Sequence, residues 1–197
     1  MTDGRSIKQK IIGGFELFFL FGRGMENFSG TRAAALRSLA IPAATFIYGL
    51  IFHAIWPYPP KGMEAGYDYW QVTRTVTAHF LLALFLSSGF TYLVAWAFAK
   101  REKFWLLFEA SNWVGVTGFL VGLPLSLLAT FALAPREAMD RVFVILTLYG
   151  VLVTACIIRA GLRVNWQLAA GIALGGFCID NELWHILFAM QGIPIPW

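Results

Sequence analysis

The sequence predicts an all-α integral membrane protein, a bundle of five transmembrane helices preceded by an N-terminal amphipathic helix lying in the membrane interface. Three observations carry this reading. Of 197 residues, 58% are hydrophobic and only 13% charged, against about 45–50% and about 25% in a soluble domain, so polar side chains are too few to cover a water-facing surface. Mean hydropathy is +0.67. The apolar residues also gather into five runs, each near the roughly 20 residues a helix needs to cross a bilayer. An ordinary cytosolic enzyme, a disordered chain and a disulfide-stapled secreted module are thereby excluded. Cys156 and Cys178 stand singly inside apolar runs and read as small core residues.

Residues 1–35 form a cytoplasmic lead-in. The run from Ile11 to Phe21 is too short to span and contains Glu16. It also lacks the small-residue site that would follow a signal peptide. At helical spacing Ile7, Ile11, Phe15, Phe18 and Phe19 gather on one side, away from Lys8 and Lys10, which is the pattern of an interfacial helix. The glycines at Gly22, Gly24 and Gly30 then turn the chain.

Residues 36–197 form the transmembrane domain. The first span runs from about Leu36 to Trp56 and is stopped by Pro57, Pro59 and Pro60, which cannot continue a helix. The second, about Val72 to Ala99, ends at the charged hinge Lys100-Arg101-Glu102-Lys103. The third runs from about Phe104 to Leu133, with Pro124 expected to kink it, and stops before Pro135. The fourth, about Arg141 to Ala160, ends in a segment bearing Arg159 and Arg163. The fifth, about Trp166 to Met190, precedes Pro194 and Pro196. Gly115, Gly118, Gly122, Gly171 and Gly175 are expected to permit close helix packing. Trp56, Trp70, Trp105, Trp166 and Trp197 stand at span ends, as an interfacial belt requires.

Orientation follows from the basic residues. With the N-terminus in the cytoplasm, that side receives Arg5, Lys8, Lys10, Arg23, Arg32, Arg37, Lys100, Arg101, Lys103, Arg159 and Arg163. The other side receives Lys61, Arg74, Arg136 and Arg141, a split of 11 to 4 among the 15 basic residues. The positive-inside bias therefore predicts a bacterial inner-membrane protein with a cytoplasmic N-terminus and a periplasmic C-terminus. The net charge of +4 reads as cytoplasmic loops held against anionic lipid rather than as a nucleic-acid surface.

Ionisable residues inside spans are expensive, so each is a candidate for function. His53, Arg74, His79, Glu182 and His185 fall in the outer halves of their spans, with Asp180 nearer the middle of the fifth. Glu182 and His185, three apart, share a helix face and form a lone Glu-x-x-His pair, half of a di-iron arrangement. This set supports two readings: a metal or haem site or a proton relay, or an Arg74–Glu182 ion pair with interfacial histidines. In the inner half, Glu109 and Asn112 lie at the depth of Arg37 and Arg159, and a Glu109–Arg pair is expected to pin three helices together. P-loop, GxSxG, HExxH and dinucleotide-binding motifs are absent, so no catalytic residue is assigned.

The phenylalanine-rich lead-in, the charged hinge between spans two and three, the opening Glu109-Ala110-Ser111-Asn112-Trp113 of span three and the closing Arg159-Ala160-Gly161-Leu162 of span four resemble the bacterial branch of the Yip1-domain five-span family. The resemblance covers about Phe15 to Met190. It implies a non-enzymatic membrane protein; eukaryotic relatives act in membrane traffic with small GTPase partners. The cluster from Asp180 to His185 has no counterpart in that pattern. The sequence reading is thus a non-catalytic polytopic protein acting through lipid, a membrane-protein partner or a second copy of itself, with no cofactor and no nucleic acid. The alternatives are a metal- or haem-binding redox protein and a small oligomeric channel or transporter.

Overall fold

In a computed structural model of the chain, residues 5–55, 68–131 and 135–192 are described, and every regular element among them is helical. Helix α1, Ile7–Phe18, starts at a capping box: the Ser6 hydroxyl accepts the Gln9 amide at 3.2 Å, and the Gln9 side chain accepts the Ser6 amide at 2.8 Å. It ends where Leu20 turns left-handed (φ 65°), so that Phe21 N–H donates back to the Glu16 carbonyl at 2.7 Å. A 3₁₀ segment, Gly22–Asn27, then folds back along it.

Helices α2, Arg32–Ser38, and α3, Ala40–Ile55, occupy the first predicted span, broken at Leu39. Pro42 explains the break, since it has no N–H to offer the Ser38 carbonyl and so cannot complete the intervening turn. The remaining predicted stretches are helical, with α6 beginning about five residues earlier than expected. Helix α4, Tyr69–Ala97, is capped by Asp68, whose carboxylate accepts the amides of Trp70 and Gln71. Helix α5 is Phe104–Thr130 and continues through Pro124. Helix α6, Arg136–Leu162, follows Pro135 and stops at a left-handed Arg163. Helix α7, Trp166–Met190, is capped by the Asn165 side chain accepting the Leu168 amide at 2.9 Å.

Four of these stretches are long and apolar enough to cross a membrane: 32–51, 70–97, 101–125 and 137–162. Helix α7 is equally long at 25 residues, but Asp180, Asn181, Glu182 and His185 dilute its hydropathy. Large apolar side chains such as Phe85 (75% exposed) and Ile145 (64%) cover the outside, a surface suited to hydrocarbon rather than water.

Helix α5 is the centre of the bundle and touches α1 through α4 and α6. It runs in the same direction as α2 and α3, because Asn112 meets Ser38 of α2 while Phe119 packs edge-on with Tyr48 of α3. Helices α4 and α7 run oppositely: the Gln71 side chain donates to the Gln191 carbonyl at 2.6 Å, and His79 meets Asp180. The main core lies toward the hinge end, where Leu17, Met25 and Phe28 of the lead-in join Leu107, Ile157 and Leu162. The described lead-in is therefore part of the bundle core.

Two sequence expectations change here. Helix α1 packs on α5 through Lys10 and Gly14 and on the 3₁₀ segment through Gly13, while Ile7 and Phe19 of its apolar face stay exposed. The tight glycines also differ. A Cβ on Gly14 would lie 2.8 Å from the Trp113 carbonyl oxygen, whereas Gly118, Gly122 and Gly171 have nothing within 4 Å of such a Cβ. Gly115 and Gly175 make only ordinary contacts, with Ile41 and Phe90. The close helix approach is thus made by α1, where Gly14 removes the side chain that would hold it off α5 and Gly13 does the same toward the 3₁₀ segment.

Candidate functional site

Two polar groupings and one cavity stand out. At the hinge end, Glu109 is fully buried on α5 and Lys10 reaches it from α1, with Nζ 3.0 Å from Oε1. The second carboxylate oxygen accepts from the Gly30 amide at 2.9 Å and the Ser29 hydroxyl at 3.2 Å. Gly30 suits this position because its φ is +64° and a Cβ there would press to 3.0 Å from Leu106. The Lys10 ammonium also lies 5.9 Å from the centroid of the Trp113 ring. Lys10 therefore takes the place expected for Arg37 or Arg159. Arg37 is exposed, and Arg159 lies over the Trp166 ring at 5.1 Å. Asn112 turns instead to the Ser38 hydroxyl, 2.8 Å away. A short hydrogen bond from Tyr149 Oη to the Phe18 carbonyl, 2.6 Å, fastens the end of α1 to α6.

The second grouping is centred on His79 and Asp180. The His79 Nε2 lies 3.3 Å from Asp180 Oδ1, and its ring stands edge-on to Trp184 with centroids 4.7 Å apart. The nitrogen has no aligned hydrogen bond, so its contact with Asp180 is a close approach without directional bonding. The other residues predicted for this site do not converge. Helical rotation of about 100° per residue sets Asp180 and Glu182 on different faces. Asp180 accordingly meets α4, while Glu182 is exposed. Arg74 donates through Nε to the Trp70 carbonyl of its own helix at 3.3 Å, and it forms no ion pair with Glu182. His185 is half-buried. The side chain of His53 lies outside the described residues. Among the described residues, no three His, Cys, Asp or Glu side chains come together as metal ligands.

Between the main core and a small cluster of Val72 and Phe188 at the other end lies a cavity of about 350 Å3 among α4, α5, α6 and α7. The sequence explains the space. Small or hydroxylated residues face one another there, among them Ser87, Thr91, Ser111, Gly150, Thr154 and Gly176. The hydroxyls of Ser87, Thr147 and Thr154 are satisfied by carbonyls one turn earlier in their own helices, so the wall costs no unmet polar group at those positions. Asp180 is the one charged residue in the described lining.

Comparison with family models, characterised proteins and solved structures finds no match. Function must therefore be argued from the cavity and its carboxylate. Sequence reasoning had selected Asp180 and His79 by their depth in the spans. It missed the cavity, whose signal is the run of small residues at one depth on four helices.

Proposed function

We propose that this chain is a non-catalytic five-span membrane protein whose task is to hold an amphiphilic molecule, drawn from the bilayer, in the cavity between α4 and α7. The cavity itself carries this reading. A space of about 350 Å3 walled mostly by Ile, Leu, Val and Phe, with a carboxylate in its lining, matches an apolar ligand bearing one polar end. Its faces are lipid-accessible helices rather than a water-facing cleft, so the ligand enters from hydrocarbon.

The geometry supports α7 as the fifth span. It starts beside the C-terminus of α6, near the hinge, and ends at Gln71, the opposite end of α4. Five crossings with basic clusters on one side favour a cytoplasmic N-terminus in the inner membrane. In this arrangement the exposed Ile7, Ile12, Phe19 and Phe21 of the lead-in meet lipid while Lys10 stays inside the bundle.

The test is binding in nanodiscs. Wild-type protein should quench or shift a fluorescent alkyl probe saturably, and Thr154→Phe, which fills the cavity from α6, should abolish saturable binding while remaining monodisperse and helical. Equal binding by the filled variant would rule the cavity out as the site.

A further inference from the structure

Resting on that reading, we infer that the cavity selects cationic amphiphiles, molecules with an alkyl or aryl body of roughly 10–20 heavy atoms and one ammonium or amidinium group placed against Asp180. The size follows from a volume of about 350 Å3 together with the need to leave part of the space to the walls. The sign of the charge follows from the surroundings of Asp180. Its side chain is 53% exposed, yet it lies in the lining of an otherwise uncharged chamber. A bound alkyl body displaces water from beside Asp180, and there the carboxylate attracts a counter-charge more strongly than in bulk water.

The charged and titratable groups around it have other commitments. His79, at 3.3 Å, is the residue of α4 that faces it. Arg74, more than a turn nearer the start of α4, is bonded to its own helix and lines a separate, smaller pocket with Gln191. Glu182 is exposed, on a different face of α7. Helices α5 and α6 contribute only Ser111, Thr147 and Thr154 as polar lining, all neutral. His79 contacts one oxygen, Oδ1, without an aligned hydrogen bond, which leaves the carboxylate able to accept from a ligand cation. The edge-on contact with Trp184 holds the imidazole in place.

The experiment compares three probes of equal size in nanodiscs of zwitterionic lipid: a decyl quaternary ammonium, its uncharged tert-butyl isostere and a decyl sulfonate. Wild-type protein should bind the ammonium about tenfold or more tighter than the uncharged probe, as expected for a partly desolvated charge pair, and the sulfonate more weakly than either. Asp180→Asn should level the cation and the uncharged probe while still binding the latter; His79→Gln should preserve the preference for the cation. Equal affinity for cation and isostere in the wild type overturns the charge assignment and leaves the cavity reading standing. Failure of all three probes to bind the wild-type protein saturably overturns both. The wild-type comparison decides the matter even where Asp180→Asn fails to fold.

Discussion

Lys10 Nζ lies 3.0 Å from Glu109 Oε1, and the two side chains are 7% and 0% exposed. Helix α1 is thereby held on the central helix by opposite charges that have both left solvent. The pair's net contribution is small, because desolvation offsets most of the attraction, but removing one partner strands the other. Lys10→Met or Glu109→Leu alone should each cost about 3–5 kcal/mol. The double variant should recover a large part of that loss. Thermal unfolding in detergent, read as a double-mutant cycle, checks the coupling; additive losses would show that the pair does not act as a unit.

The close approach of α1 and α5 depends on Gly14. A methyl group there meets the Trp113 carbonyl oxygen at 2.8 Å, a backbone atom that cannot move aside alone. Gly14→Ala should therefore destabilise by about 1–3 kcal/mol. Gly118→Ala, in open space on α5, should be neutral or stabilising by up to about 1 kcal/mol, from helix propensity. The contrast in melting temperature between the two variants is the measurement; a penalty at Gly118 as large as at Gly14 would locate the tight contact elsewhere.

These two positions show what was legible in the sequence. The helices α4, α5, α6 and α7 are readable because hydropathy is a property along the chain, and because Pro135 and the Lys100–Lys103 hinge are local punctuation. The break at Leu39 was equally local, through Pro42, yet the apolar run across it concealed it. Partner choice is not local. Amphipathic spacing assigns Lys10 to a watery face, and only the presence of Gly13 and Gly14 beside it, costly in a helix that packs against nothing, hints that this face is the packed one. Depth groups Arg74, His79 and Glu182 and sets Asp180 nearer the middle of its span, because position along a helix does not distinguish faces; the structure brings Asp180, not Glu182, to His79.

Tyr149 fastens the far end of α1 by donating to the Phe18 carbonyl at 2.6 Å. Tyr149→Phe keeps the ring's edge-on contact with Phe18 and removes one hydrogen bond, about 1 kcal/mol. The effect should be regional. Amide exchange across residues 7–18 should quicken several-fold while α6 and α7 keep their protection. Uniformly faster exchange would mean that α1 has no separate opening.

Ala99, just beyond the C-terminus of α4, has φ +54° and is exposed. A side chain in this left-handed region costs about 1–2 kcal/mol that glycine avoids. Ala99→Gly should therefore stabilise the protein by up to about 1 kcal/mol, the reverse of the usual penalty for glycine in a helix. A raised melting temperature checks it, and a lowered one would mean that the Cβ packs favourably against the hinge.

The course of α7 makes the final prediction. The Lys100 ammonium donates to the Leu162 carbonyl, so the hinge and the end of α6 share one end of the bundle, while Gln71 and Gln191 share the other. Glu102 and Gly192, both exposed, should therefore lie on opposite sides of the membrane. With Cys156 and Cys178 replaced by alanine, Glu102→Cys should react with an impermeant maleimide only in inverted vesicles, and Gly192→Cys only in intact spheroplasts. Labelling of both from the same side would show that α7 enters the membrane without crossing it. The polarity of Asp180, Asn181 and Glu182 would then have prevailed over the apolar residues around them.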